Sequence, residues 1–165
     1  MKSLFLTFLL VLVSLLAACA GVPFQPGVSS GDDVLRQWGA PAQRWSEPDG
    51  SQRLAYPWGP MGFATWMVEV GPDGKVRSAT NVLVEEEFAK VQAGQTQEEI
   101  LRHFGRPGWV QEFERRQELV WEWRYCDQWT YPARFNVLFD STTGLVRSTL
   151  QIRESLGRHH EICAR

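Results

Sequence analysis

Apolar residues along this chain follow two spacings, and the same order of spacings occurs twice. Val34, Leu35 and Trp38 fall at i, i+1 and i+4, as do Ile100, Leu101 and Phe104, which is one face of a helix. Downstream of each the period becomes two: Leu54, Tyr56 and Trp58 in the first case, and Trp121, Trp123 and Tyr125 in the second. Val68-x-Val70 then runs through Gly71-Pro72-Asp73-Gly74 into Val76-Arg77-Ser78, and Val137-x-Phe139 runs through Asp140 to Gly144 into Val146-Arg147-Ser148. Both read as strand, tight turn, strand, with Gly74 and Gly144 at the positive-φ position.

The ends of the two helices match as well. Ser30 and Thr96 stand at N-cap positions with an acid three residues on, Asp33 and Glu99, the spacing of a capping box. Gly39 and Gly105 stand where a helix ends in a left-handed residue, and Pro41 and Pro107 forbid its continuation. Glu85 to Gly94 reads as an extra short helix with acids at its positive end. The offset between copies drifts from 66 residues at the helices to 70 at the final strands, so loops of the second copy carry about four insertions.

These elements predict an α+β fold of two tandem repeats, each one or two short helices followed by a three- or four-stranded antiparallel meander. The first repeat spans residues 31–84 and the second 85–153, with a C-terminal tail at 154–165. Units of this size bury only about 60% of their chain surface, so each gains from packing on the other.

Ahead of the repeats, Met1-Lys2-Ser3 is a basic start. Leu4 to Leu16 is apolar except for Thr7 and Ser14, too short to span a bilayer and laid out as a secretory signal. It ends in Leu16-Ala17-Ala18-Cys19, which resembles the lipobox of bacterial lipoproteins. That resemblance implies a signal peptide at residues 1–18, cleavage before Cys19, and acyl chains on Cys19. Several chains on one residue make anchoring stable where a single chain would not. Ala20 in place of Asp implies release to the outer membrane. Residues 19–30, rich in Gly, Pro and Ser, read as a flexible tether, and twelve such residues reach at most about 40 Å.

The second copy also resembles the BamE (SmpA/OmlA) lipoprotein domain, through Gly94, Thr96, Glu99, Ile100, Gly105, Pro107, Trp123, Tyr125, Phe139, Asp140, Gly144 and Val146. A tandem of such units is similar to the β-lactamase-inhibitor protein fold. The resemblance implies a non-catalytic outer-membrane lipoprotein facing the periplasm. It would act on other envelope proteins, the β-barrel assembly machinery among the candidates, in outer-membrane protein assembly or envelope maintenance. An inhibitor-like or ligand-binding periplasmic lipoprotein on the same fold is the alternative. The family's best-known member has one such domain, and Ala20 to Ser29 offers no counterpart of its partner-binding lead-in.

Charge and chemistry narrow this further. The formal net charge is −2, and removing residues 1–18 takes away only Lys2, leaving a weakly acidic chain without a basic stripe. That disfavours nucleic acid as a partner. Cys126 and Cys163 remain after processing, and export makes a disulfide between them the expectation, worth about 4 kcal/mol in the chain-entropy model. His159, His160, Glu161 and Cys163 are close in sequence, but the disulfide competes for Cys163, so no metal and no other cofactor is expected. No nucleophile elbow or phosphate-cradling loop appears, and the chain is not expected to be an enzyme. Among its eight Trp, those alternating along strands serve as core in about half the cases. Trp58, Trp66 and Trp129 are the candidate protein-binding anchors, on sheet face not covered by helix.

Overall fold

The computed structural model describes residues 24–58, 62–154 and 163. Its helices are α1 (Gly31–Trp38), α2 (Glu85–Phe88) and α3 (Gln97–Phe104). Its strands are β1 (Gln43–Ser46), β2 (Gln52–Pro57), β3 (Thr65–Val70), β4 (Val76–Asn81), β5 (Trp109–Phe113), β6 (Glu118–Cys126), β7 (Pro132–Asp140) and β8 (Val146–Arg153). The first four strands form one antiparallel meander in sequence order and the last four another. The two helix-plus-meander units expected from the sequence are therefore present, with four strands in each.

Both long helices start with a full capping box. The Ser30 hydroxyl accepts from the Asp33 backbone N–H while Asp33 accepts from the Ser30 N–H, and Thr96 and Glu99 repeat the exchange. Each cap residue is also tied to the last turn of its own sheet, through bridges Ser30–Lys75 and Thr96–Leu145. The helix stops differ from expectation in one respect. Gly39 (φ 77°, ψ −158°) and Gly105 (φ 74°, ψ −172°) have positive φ but extended ψ, a region essentially confined to glycine rather than the left-handed helical one. The chain leaves each helix straight into the first strand instead of curling once more.

The layers are not those of two equivalent units side by side. Leu54, Tyr56, Val68, Val70 and Val76 turn one face of the first sheet to α1 and close over Val34 and Trp38. The other face of that sheet is also covered: Ala55 and Met67 are buried in one cluster with Ile100 and Phe104 of α3 and with Trp123, Tyr125, Phe135, Val137 and Phe139 of the second sheet. Helix α3 thus lies between the two sheets. The Trp45 indole N–H donates to Glu98 Oε1 at 3.1 Å, and Arg102 pairs with Glu47, so polar contacts from the first unit hold both ends of the second unit's helix. Phe104, fully buried, is the central plug.

The segment before α1 also departs from expectation. Residues 24–30 are not free tether. Phe24 is buried and sits edge-on to the Trp38 ring with centroids 4.8 Å apart. The Gly27 N–H donates to the Val76 carbonyl just as Gly94 donates to Val146. The start of the first repeat therefore includes a docked lead-in that the Gly/Pro/Ser composition concealed.

Candidate functional site

Because α3 serves both sheets, one sheet face is left without a helix among the described residues: the side of β5–β8 turned away from α3. Cross-strand pairing places its residues in rows. Gln111, Val120, Leu138 and Ser148 make one row; Trp109, Glu122, Asn136 and Leu150 the next; Arg124, Arg134 and Ile152 the third. Phe113 stands opposite Glu118 at the β5 margin. Trp109, Phe113, Leu150 and Ile152 are each 40–49% exposed, so one face carries four large apolar side chains open to solvent.

Between these apolar margins runs an ion-pair network. Arg124 meets Glu154 through two nitrogens at 2.8 and 2.9 Å, and Arg134 reaches Glu154 and Glu122 at 3.1 Å each. The Arg124 hydrogen bonds hold the Glu154 carboxyl below its ordinary range. These charges are mutually satisfied, so they fix the face without reaching for a charged partner. Both outer strands, β5 and β8, are also sheet edges with unpaired ladder groups.

The three tryptophans singled out from sequence lie elsewhere. Trp66 is tilted against Trp38, with centroids 6.1 Å apart, and packs on the first core; its substitution disturbs packing before it disturbs binding. Trp58 (63% exposed) and Trp129 (66% exposed) occupy the β2–β3 and β6–β7 loops, not a sheet face. Beside Trp58 is a shallow cleft of about 310 Å³ lined by Trp38, Tyr56, Pro57 and Trp58 with Ala40 and Ala42. The loop holding Trp129 is fixed by Asp127, whose Oδ1 accepts from the Trp129 and Tyr131 backbone N–H groups while Oδ2 accepts from Arg153. Asp127 is nearly buried, which opposes ionisation, yet these donors together keep its pKa below the ordinary value.

Cys126, at the end of β6, is bonded to Cys163, with Cα atoms 5.6 Å apart. The readings of residues 1–18 as a signal peptide, of Cys19 as a lipidation site, and of His159, His160 and Glu161 fall outside the described residues. Among the described residues, no group of three His, Cys, Asp or Glu is placed to hold a metal ion. The sequence led to a sheet face not covered by helix, but Trp109, Phe113, Leu150 and Ile152 were not singled out as its residues. The alternation of Trp109, Gln111 and Phe113 was the available signal, and Leu150-x-Ile152 was its counterpart on β8.

No protein-family model matches the chain, and no curated protein matches it. A crystal structure from Streptococcus mutans, described as a "putative beta-lactamase inhibitor protein", is similar over 74% of this chain and 82% of its own, at 16% identity and a TM-score of 0.30. At that level the likeness supports no argument about mechanism or family.

Proposed function

We propose that this chain is a non-catalytic outer-membrane lipoprotein, anchored through Cys19 and facing the periplasm. It works there as a protein-interaction module in outer-membrane protein assembly or envelope maintenance. The observation that carries the reading is the helix-free face of the second sheet, where Trp109, Phe113, Leu150 and Ile152 project around a self-satisfied ion-pair network. A rigid sheet bounded by aromatic and branched side chains suits a partner protein, since such anchors dominate binding energy once water is excluded. The sequence layout Leu16-Ala17-Ala18-Cys19 supports the anchor, and the repeated cap, stop and meander pattern supports the likeness to the BamE domain.

The test is affinity capture from outer membranes after crosslinking in cells, comparing the unaltered chain with Phe113→Asp and Ile152→Asp. β-Barrel assembly components should be recovered with the unaltered chain and lost with both variants, whose circular dichroism should not change. Capture of a single soluble enzyme would instead favour the inhibitor-like module. Capture that is indifferent to both substitutions would remove the sheet face from the account.

A further inference from the structure

The distance between Cys19 and the first docked residue is much shorter than the tether composition suggests. Phe24 is 5% exposed and set into the first core against Trp38, so only residues 20–23 separate it from Cys19. Five residue steps span at most about 17 Å. A domain held that closely cannot swing free of the surface that holds its anchor.

Phe24 belongs to an aromatic cluster in which Tyr56 is also buried and Trp38 is half-buried. Trp38 touches Phe24 on one side and Tyr56 on the other, with ring centroids 5.3 Å apart, and Tyr56 donates its hydroxyl proton to the Gly39 carbonyl at 3.0 Å. Beyond Tyr56 come Pro57 and Trp58, which complete the shallow cleft of about 310 Å³. Trp58 is 63% exposed, an unusual place for an indole in water. Indole groups favour the bilayer's headgroup zone, where an apolar body and a polar tip are both accommodated.

From the short lead and the cluster it ends in, we infer that Trp58, with the accessible edge of Trp38, rests on the membrane that holds the lipid on Cys19. This gives the first unit a fixed orientation on the bilayer. The inference rests on the lipoprotein reading. Trp58 then serves as an interfacial anchor rather than a contact for a protein partner.

The experiment uses the full lipidated chain in vesicles of phosphatidylethanolamine and phosphatidylglycerol, with and without acyl chains brominated near the headgroup end. Bromine should quench part of the tryptophan fluorescence, and Trp58→Phe should lose most of that quenching. Trp109→Phe and Trp129→Phe should leave it unchanged. Trp58 is exposed, so the variant is expected to fold, and circular dichroism checks it. If the chain floats with the vesicles but the bromine effect is the same in Trp58→Phe, the inference fails while the lipid anchor stands. If the chain does not float with the vesicles, the lipoprotein reading fails and takes the inference with it.

Discussion

At the scale of single residues, the two copies of one motif carry different loads. Gly39 and Gly105 share a backbone conformation, yet an added Cβ at Gly39 meets nothing within 4 Å, whereas at Gly105 it would lie 3.3 Å from Thr65 Cγ2 and 3.5 Å from Ala55 Cβ. Gly39→Ala should cost the backbone strain alone, about 1–3 kcal/mol, and Gly105→Ala measurably more, because the first sheet must also give way. Urea unfolding of the two variants checks this, and equal losses would deny the close approach of the units. His103 offers a test by pH. Its Nε2 lies 2.8 Å from Glu87 Oε2, joining α3 to α2. Burial holds its pKa below 6.5 despite the Glu87 carboxylate, with Arg53 and Lys90 adding repulsion. Glu87 itself stays below its ordinary value, burial being outweighed by its bonds to Lys90 and His103. Because the unfolded chain takes up the His103 proton more readily, stability should fall as pH drops from above 6.5 through the lowered folded value. His103→Gln should flatten that slope. An NMR titration placing His103 at or above 6.5 would contradict the assignment.

At the scale of elements, local patterns made the caps, the stops and the period-two strands readable in sequence, because each depends on residues close along the chain. The sharing of α3 was not readable. Arg53, Ala55, Met67 and Glu69 alternate with the core positions of β2 and β3, as solvent-facing residues would, and only the second unit's helix buries Ala55 and Met67. β1 was missed because Gln-Arg-Trp-Ser has a single apolar residue, Trp45, which serves the other unit's helix. Phe24 was missed because it lies among Pro and Gly. Helix α3 is therefore the element on which both cores depend. Phe104→Ala should cost about 3–5 kcal/mol. That loss should appear equally in the first-unit and second-unit tryptophans. A loss confined to the second unit, followed by hydrogen exchange, would contradict the shared layer.

At the scale of the whole molecule, the order α1, first sheet, α3, second sheet leaves one broad sheet face without a helix among the described residues, the face proposed above for a partner. The sequence expectation placed binding anchors at Trp58, Trp66 and Trp129. The structure packs Trp66 against the first core and puts the other two in loops, and it gathers Trp109, Phe113, Leu150 and Ile152 on the open face instead. No local pattern could have said which of four sheet faces would stay bare, since that is decided by which sheets share a helix. The most direct test of the interaction reading is photocrosslinking in living cells from single positions on opposite sides of the molecule. A photoreactive residue at Phe113 or at Ile152 should give the same discrete adduct with a β-barrel assembly component, and one at exposed Arg36 on α1 should give none. Adducts equally strong from all three positions, or absent from both sheet positions, would contradict the account.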